Sequence, residues 1–388
     1  MKKNYLLYDF MQVPGGAERV TLTLAEAFPD FQTLVSRCYP QARPLLDGST
    51  ATVQELRGGW SACLPRILES MWCFRFRSAR LRDAKLVLYS GFYAPLAVHQ
   101  QRSGRRLYYC HTIPRFAYDL YDSTLAQFPF WLRPLYALFV QWFRAQYEAS
   151  ISRMDRILVN SENVRARLKR YTGFDAEVVY PPVTTQHFKP LDDEGYYLST
   201  ARLMPNKRVD IIVKAFLDMP TRRLVVLSGG PELARLKKMA SHASNILFTD
   251  WQSEDALRQW TAHARCAIYL PIDEDFGMSP VEAMAAGKPV IGVAEGGLLE
   301  TVVHNETGVL LATPPTPEAV IAAVEQIEKI RGPRMSEVCR DRADLFSETT
   351  FIQRMRYHIK PQDPAELIPL HTSPLMSNSV PENVRSRQ

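Results

Sequence analysis

The chain of 388 residues has no cysteine pair in metal-binding spacing, no unbroken apolar run of bilayer length and no internal repeat. Each absence removes a class of protein. The six cysteines, Cys38, Cys63, Cys73, Cys110, Cys266 and Cys339, form no Cys-x-x-Cys pair. That spacing argues against a zinc site and predicts reduced, mostly buried thiols in a cytoplasmic protein. The most aromatic stretch, residues 128–143, is broken by Arg133, Pro134 and Gln141. A spanning helix needs about 20 consecutive apolar residues, so none is expected. The start, MKKNYLLYDF, has two lysines, but its apolar run stops at Asp9. It reads as an early first strand and not as a secretory leader. No helix-turn-helix, RNA-recognition or zinc-finger pattern is present, so no nucleic-acid partner is expected. No self-similarity at about 20–50 residues points to a solenoid.

What is present is an ordinary globular composition, 46% hydrophobic and 23% charged. The length suits two domains of about 150–200 residues each. The net charge of +6 is unevenly spread. Residues 1–180 hold 24 Lys+Arg against 15 Asp+Glu, or +9, and the remainder 23 against 26, or −3. A basic first half points to an anionic partner, although total charge does not choose among membrane surface, lipid diphosphate and nucleic acid.

Short apolar runs alternate with helical patterns. The strands are expected at 5–8, 33–35, 86–89, 107–110 and 157–159, then at 196–199, 224–227, 246–248, 266–270, 290–293 and 309–311. Segments with a 3.6-residue rhythm lie between them, such as 209–217, 254–262 and 317–330. This alternation implies an α/β protein with parallel sheets covered on both faces. Pro181-Pro182 interrupts it and marks a boundary, giving domains at 1–183 and 184–346. Residues 361–388, rich in Pro, Ser and Asn, are expected to be a disordered tail.

Five segments carry chemistry. Gly15-Gly16 follow the first strand and open a helix at 17–27, where free N–H groups favour a phosphate or a sugar. This is not the dinucleotide fingerprint Gly-x-Gly-x-x-Gly, and an ordinary glycine turn would look the same. Arg202 and Lys207 sit in the loop after the strand at 196–199, where two cations can hold a diphosphate as it leaves. In the run from Asp273 to Gly287, Glu274 lies in a loop and Glu282 lies early in a helix whose first turn includes Pro280. Both carboxylates can accept from sugar and ribose hydroxyls. Asp273-Glu274-Asp275 also spells Asp-x-Asp, a pattern that can hold a metal, but its usual setting is a different one-domain layout, and no metal is expected. Gly296-Gly297 make another glycine turn before a helix, able like the first to approach a phosphate or a sugar. His111 ends a strand, where open α/β sheets put their ligands.

Taken together and in this order, these segments resemble glycosyltransferase family 4. The resemblance rests on Gly15-Gly16, Arg202 and Lys207, Gly230-Pro231-Glu232, Glu274 and Glu282, Ala283 to Gly287, Gly296-Gly297 before Glu300, and Thr307-Gly308, and it spans roughly residues 5–360. It implies the GT-B fold, two Rossmann-like doubly wound parallel-sheet domains facing a central cleft, with a C-terminal helix at 347–360 crossing back to the first domain. Gly-Gly-Ala-Glu-Arg-Val, Cys-His-Thr-Ile-Pro-Arg-Phe-Ala-Tyr-Asp-Leu-Tyr, Val-Asn-Ser-Glu-Asn-Val and Tyr-Pro-Pro-Val further resemble the WbaZ-like branch of bacterial polysaccharide mannosyltransferases.

By position, the resemblance implies that Glu282 binds the ribose and that Glu274 holds donor-sugar hydroxyls. It implies that Arg202 and Lys207 clamp the diphosphate and that His111 contacts the sugar near the reacting carbon. Gly15, Gly16, Gly230, Phe276, Gly277, Met278 and Ser279 complete the donor site. The implied reaction transfers a hexose with retention, without metal or cofactor, and GDP-mannose is the first choice of donor. The implied acceptor is lipid-linked or polysaccharide. The arginines and aromatics of 72–82 and the aromatics of 128–143 point to peripheral contact with an anionic inner membrane at its cytoplasmic face. A buried helix beside a basic surface helix would give the same pattern. A uridine-linked donor, an epimerase and a non-catalytic sugar-nucleotide binder remain alternatives.

Overall fold

The computed structural model describes residues 3–12, 15–58 and 64–360. Val13, Pro14, Cys63 and the expected tail at 361–388 lie outside the described residues. The chain divides into two compact units, Met1–Tyr180 and Pro181–Gln388.

The first unit is built on seven parallel strands in the order β3-β2-β1-β4-β5-β6-β7. These are β1 Asn4–Tyr8, β2 Phe31–Val35, β3 Val53–Glu55, β4 Leu86–Ser90, β5 Arg105–Cys110, β6 Arg156–Val159 and β7 Glu177–Val178. The helices between them are α1 Gly16–Ala27, α2 Arg43–Asp47, α3 Arg66–Phe76, α4 Tyr121–Ala126, α5 Arg133–Ile151 and α6 Glu162–Thr172. The central strands are apolar because helices cover both faces of a parallel sheet. Leu7 sits between Leu34 and Tyr89 in register, and all three are fully buried.

The second unit holds six parallel strands in the order β10-β9-β8-β11-β12-β13. They are β8 Tyr196–Ser199, β9 Arg223–Val226, β10 Ile246–Phe248, β11 Cys266–Tyr269, β12 Val290–Val293 and β13 Gly308–Leu311. Its helices are α7 Val209–Leu217, α8 Leu233–Met239, α9 Glu254–His263, α10 Met278–Ala285, α11 Leu298–Thr301, α12 Pro317–Ile330, α13 Pro333–Asp344 and α14 Glu348–Ile359. Local chemistry sets many of the ends. The side chains of Ser253, Thr316 and Ser347 each accept from the backbone N–H three residues on, and Pro317 occupies the first position of α12.

In both sheets the strand order reverses direction beside the first strand, next to β4 in one unit and β11 in the other. Ligands of open α/β sheets bind beyond the carboxyl ends of the strands at such a switch point. Among the described residues, no helix is long and apolar enough to cross a membrane. Cys73, Cys110, Cys266 and Cys339 are buried, Cys38 is half-buried, and all five are free thiols.

Candidate functional site

In the second unit, the loops after β8 and β11 lie on either side of the switch. Lys207 comes from the first loop and Glu274 from the second, and they form an ion pair with Nζ 2.5 Å from Oε2. The same ammonium donates to the Tyr269 hydroxyl at 3.0 Å, and that hydroxyl donates to the other Glu274 oxygen at 3.2 Å. Tyr269 ends β11, so the strand itself aims its hydroxyl at the cluster. Burial, then the charges of Glu274, Glu282 and Asp275, push this phenol well above its ordinary range. Tyr269 therefore stays neutral. Glu282 is buried in α10.

Arg202 is exposed, and its guanidinium lies 5.6 Å from the centre of the exposed Trp251 ring. This cation is available to an anionic ligand. The neighbouring Arg208 is held by Glu295. The loop after β9 closes on the Arg202 loop, with Leu203 N–H donating to Gly229 O at 3.0 Å and Glu232 N–H to Leu203 O at 3.1 Å. Gly230 adopts φ +150°, and a Cβ there would sit 2.4 Å from Leu203 O. Only glycine allows that approach.

Gly277 starts α10 with φ +91°, so Met278 and Ser279 present the first backbone N–H groups of that helix, and Phe276 is buried behind them. Gly296-Gly297, which the sequence offered as another phosphate or sugar turn, packs against the Glu274 loop. Gly297 N–H donates to Glu274 O at 2.8 Å, and a Cβ on Gly296 would meet that oxygen at 2.5 Å. These glycines hold Glu274 in place through its backbone.

In the first unit, Gly15 precedes α1 in an extended conformation and Gly16 is its first residue. His111 follows β5, with Nε2 2.7 Å from Ser90 Oγ at the end of β4. The ring of Tyr8, at the end of β1, meets the imidazole edge-on with centroids 6.0 Å apart. Burial pushes His111 down to about 3, so the imidazole is neutral at working pH. Asp9 is a residue the sequence did not single out. Buried at the end of β1, it accepts from the N–H groups of Phe92, Tyr93 and Ala94 at 2.7–2.9 Å and ties β1 to the loop after β4. Burial, opposed by these donors, pushes its carboxyl up to about 7.

Comparison with known proteins follows the same division. A family described as Glycosyltransferase Family 4 matches residues 14–187, and one described as Glycosyl transferases group 1 matches residues 184–344. A D-inositol 3-phosphate glycosyltransferase of Streptomyces bingchenggensis is 32% identical over 196 residues, 42% of this chain and 43% of that protein. A GDP-Man:Man(3)GlcNAc(2)-PP-Dol alpha-1,2-mannosyltransferase of Dictyostelium discoideum is 28% identical over 232 residues, 51% of this chain and 45% of that protein. The chain thus spans less than half the length of these curated relatives.

Among solved structures, HepE of Anabaena in complex with UDP-glucose superposes with a TM-score of 0.71 at 16% identity, covering 92% of this chain and 99% of that one. WaaG, a glycosyltransferase involved in lipopolysaccharide biosynthesis, superposes with a TM-score of 0.69 at 14% identity, covering 92% and 100%. At such identities the likeness is one of fold, and the fold is GT-B. The two family matches adjoin along the chain at residues 184–187, and the chain belongs to the group 1, family 4 glycosyltransferases.

Proposed function

We propose that this protein is a retaining, metal-independent hexosyltransferase that moves mannose from GDP-mannose to a lipid-linked or polysaccharide acceptor during bacterial surface-glycan assembly. The observation that carries the class of reaction is the cluster of Lys207, Tyr269 and Glu274 at the switch point, with the exposed Arg202 on the same loop as Lys207. Two cations and a carboxylate at the carboxyl ends of parallel strands suit a sugar diphosphate. In this reading, Arg202 and Lys207 neutralise the charge that grows on the leaving diphosphate. Glu274 accepts from sugar hydroxyls and Glu282 from the ribose. Neutral His111 offers a hydrogen bond to the sugar.

The bond from the anomeric carbon to the phosphate oxygen breaks, and the acceptor oxygen bonds to that carbon on the same face. The acceptor proton passes to the leaving phosphate. Residues 1–183 are assigned to the acceptor and 184–346 to the nucleotide. The sequence likeness to the polysaccharide mannosyltransferase branch favours a guanosine donor, and the mannosyltransferase of Dictyostelium carries GDP-Man in its name. The opposite reading, a uridine-linked donor, is favoured by the fold likeness to HepE, solved with UDP-glucose. The proposal includes peripheral contact between the basic first unit and an anionic membrane.

The deciding experiment is thermal stabilisation by GDP-mannose, GDP, UDP-glucose, UDP-N-acetylglucosamine and UDP, on wild type and on Glu282→Ala. Stabilisation by guanosine ligands alone, lost in the variant, supports the full reading. Stabilisation by uridine ligands alone replaces the donor. No stabilisation by any ligand refutes the site.

A further inference from the structure

Two helices of the first unit leave apolar stripes in solvent. On α3 the stripe is Leu68, Trp72 and Phe76, each four positions from the last, and on α5 it is Leu135, Leu138 and Trp142. Such spacing puts each set on one helix face. Leu68 is 44% exposed, Phe76 54%, Leu135 and Leu138 64% and Trp142 51%. Just before α5, Phe130 and Trp131 are 81% and 65% exposed. The stripes converge at Trp142 on a groove of about 330 Å³, walled by Leu68, Met71, Trp72, Phe76 and Leu96. Arg75 stands at its edge, with its guanidinium 5.6 Å from the Phe76 ring.

The surroundings are predominantly basic, although Asp83 follows the first arginine run and Glu148 lies further along α5. Residues 64–82 contain five arginines and a single carboxylate, Glu69, which is buried and held by Arg37 at 3.3 Å and Arg57 at 3.4 Å. Arg66, Arg77, Arg80 and Arg82 are exposed, and none of them has a carboxylate partner among the described residues. Arg77 and Arg80 donate instead to Gly58 O and to the Gln54 side chain. Residues 133–147 add two arginines and no carboxylate. A two-fold contact between copies through this face would set the same arginines against one another. An anionic lipid satisfies both halves, with its chain in the groove and its phosphate on the arginines.

We propose that the groove between α3 and α5 holds a hydrocarbon chain of an anionic bilayer lipid, and that Trp142 enters the membrane beside it. This rests on the membrane contact proposed above and turns it from a charge contact into insertion. Tryptophan suits the position, because its ring is apolar and its N–H finds partners at headgroup level.

The test mixes the full chain with vesicles of phosphatidylcholine alone or with one quarter phosphatidylglycerol, their acyl chains brominated or not. The anionic vesicles bind the protein, and bromine in the chains quenches its tryptophan fluorescence. Trp142→Phe binds equally but loses much of the quenching. Leu138→Glu, at an exposed position, weakens binding by about tenfold or more. Binding without quenching leaves a headgroup contact only and overturns the proposal. Absence of vesicle binding also overturns it, and the ligand-induced thermal shifts then still judge the sugar-transfer reading separately. A dimer that Leu138→Glu dissociates, without vesicle binding, makes this a self-association face and overturns it too.

Discussion

Lys207 makes two contacts, 2.5 Å to the Glu274 carboxylate and 3.0 Å to the Tyr269 hydroxyl, and Lys207→Ala removes both. The effect on stability is small. The paired side chains are 17% and 22% exposed, and an ion pair of this kind contributes at most about 1 kcal/mol. Glu274 is not stranded, because the Tyr269 hydroxyl still donates to it at 3.2 Å. For a unit of this size the loss lowers Tm by roughly 2–4 °C. The effect on chemistry is much larger. A donor aimed at charge developing in the transition state is worth about 2–4 kcal/mol, or about 30- to 900-fold in kcat. The assay is release of nucleoside diphosphate from whichever donor stabilises the protein, followed with acceptor or by slow hydrolysis. Lys207→Arg keeps a cation within reach and recovers part of the rate. Turnover within about threefold of wild type, with Tm lowered as stated, would remove Lys207 from the diphosphate and with it the reason for placing the donor here.

Three further outcomes are expected. Gly296→Ala forces φ +60° on a residue with a Cβ and drives that atom to 2.5 Å from Glu274 O. The strain and displacement cost roughly 2–5 kcal/mol, read as a lowered Tm together with weaker ligand stabilisation. Asp9 has a carboxyl raised to about 7 from 3.8, so its contribution is complete below pH about 4 and is lost as pH rises through 7. Wild-type stability therefore declines between about pH 4 and 7 at up to about 1.4 kcal/mol per unit and levels off above that, and Asp9→Asn flattens the decline; parallel urea midpoints for the two proteins would exclude it. His111, lowered from 6.5 to about 3, contributes stability above pH 6.5 that is lost as pH falls toward 3. Its neutrality means that kcat/KM shows no limb near 6.5, and such a limb, present in wild type and absent in His111→Gln, would contradict the assignment.

Most strands were legible because a parallel strand covered on both faces reads as a short apolar run. The runs at 196–199, 246–248 and 290–293 coincide with β8, β10 and β12. The edge strand β3 was missed because Val53–Glu55 has an exposed, polar outer face and no hydrophobic signal. The motif residues of the second unit were legible from glycines, cations and carboxylates at loop positions. Their partners were not. Tyr269 looks like any aromatic in a buried strand, and only its place at the end of β11 turns its hydroxyl toward Lys207. Asp9 looked like the end of an apolar run, and its three backbone donors come from residues more than 80 positions away. The backbone role of Gly296-Gly297 was not legible, because close packing against backbone asks for the same residue as close approach to a phosphate.

The pairing of Lys207 with Glu274 bears on how such a site favours the transition state over the bound donor. Only interactions that strengthen as the reaction proceeds accelerate it. A lysine held by a carboxylate is already partly neutralised, so a ground-state diphosphate gains less from it than from a bare cation. In the proposed reaction, charge accumulates on the leaving oxygens as the bond to the anomeric carbon breaks and their attraction for the Lys207 ammonium rises, while the Glu274 carboxylate turns to the sugar hydroxyls. The competing carboxylate thus lowers uniform binding and leaves intact the part of the interaction that grows with the leaving charge. Arg202, with Trp251 beside it in place of a carboxylate, supplies the contact that does not have to be exchanged. On this argument Arg202→Ala raises KM for the donor as well as lowering kcat, whereas Lys207→Ala chiefly lowers kcat. Steady-state kinetics on the two variants read that split directly, and equal effects of both on KM alone would show that the ion pair has no part in selecting the transition state.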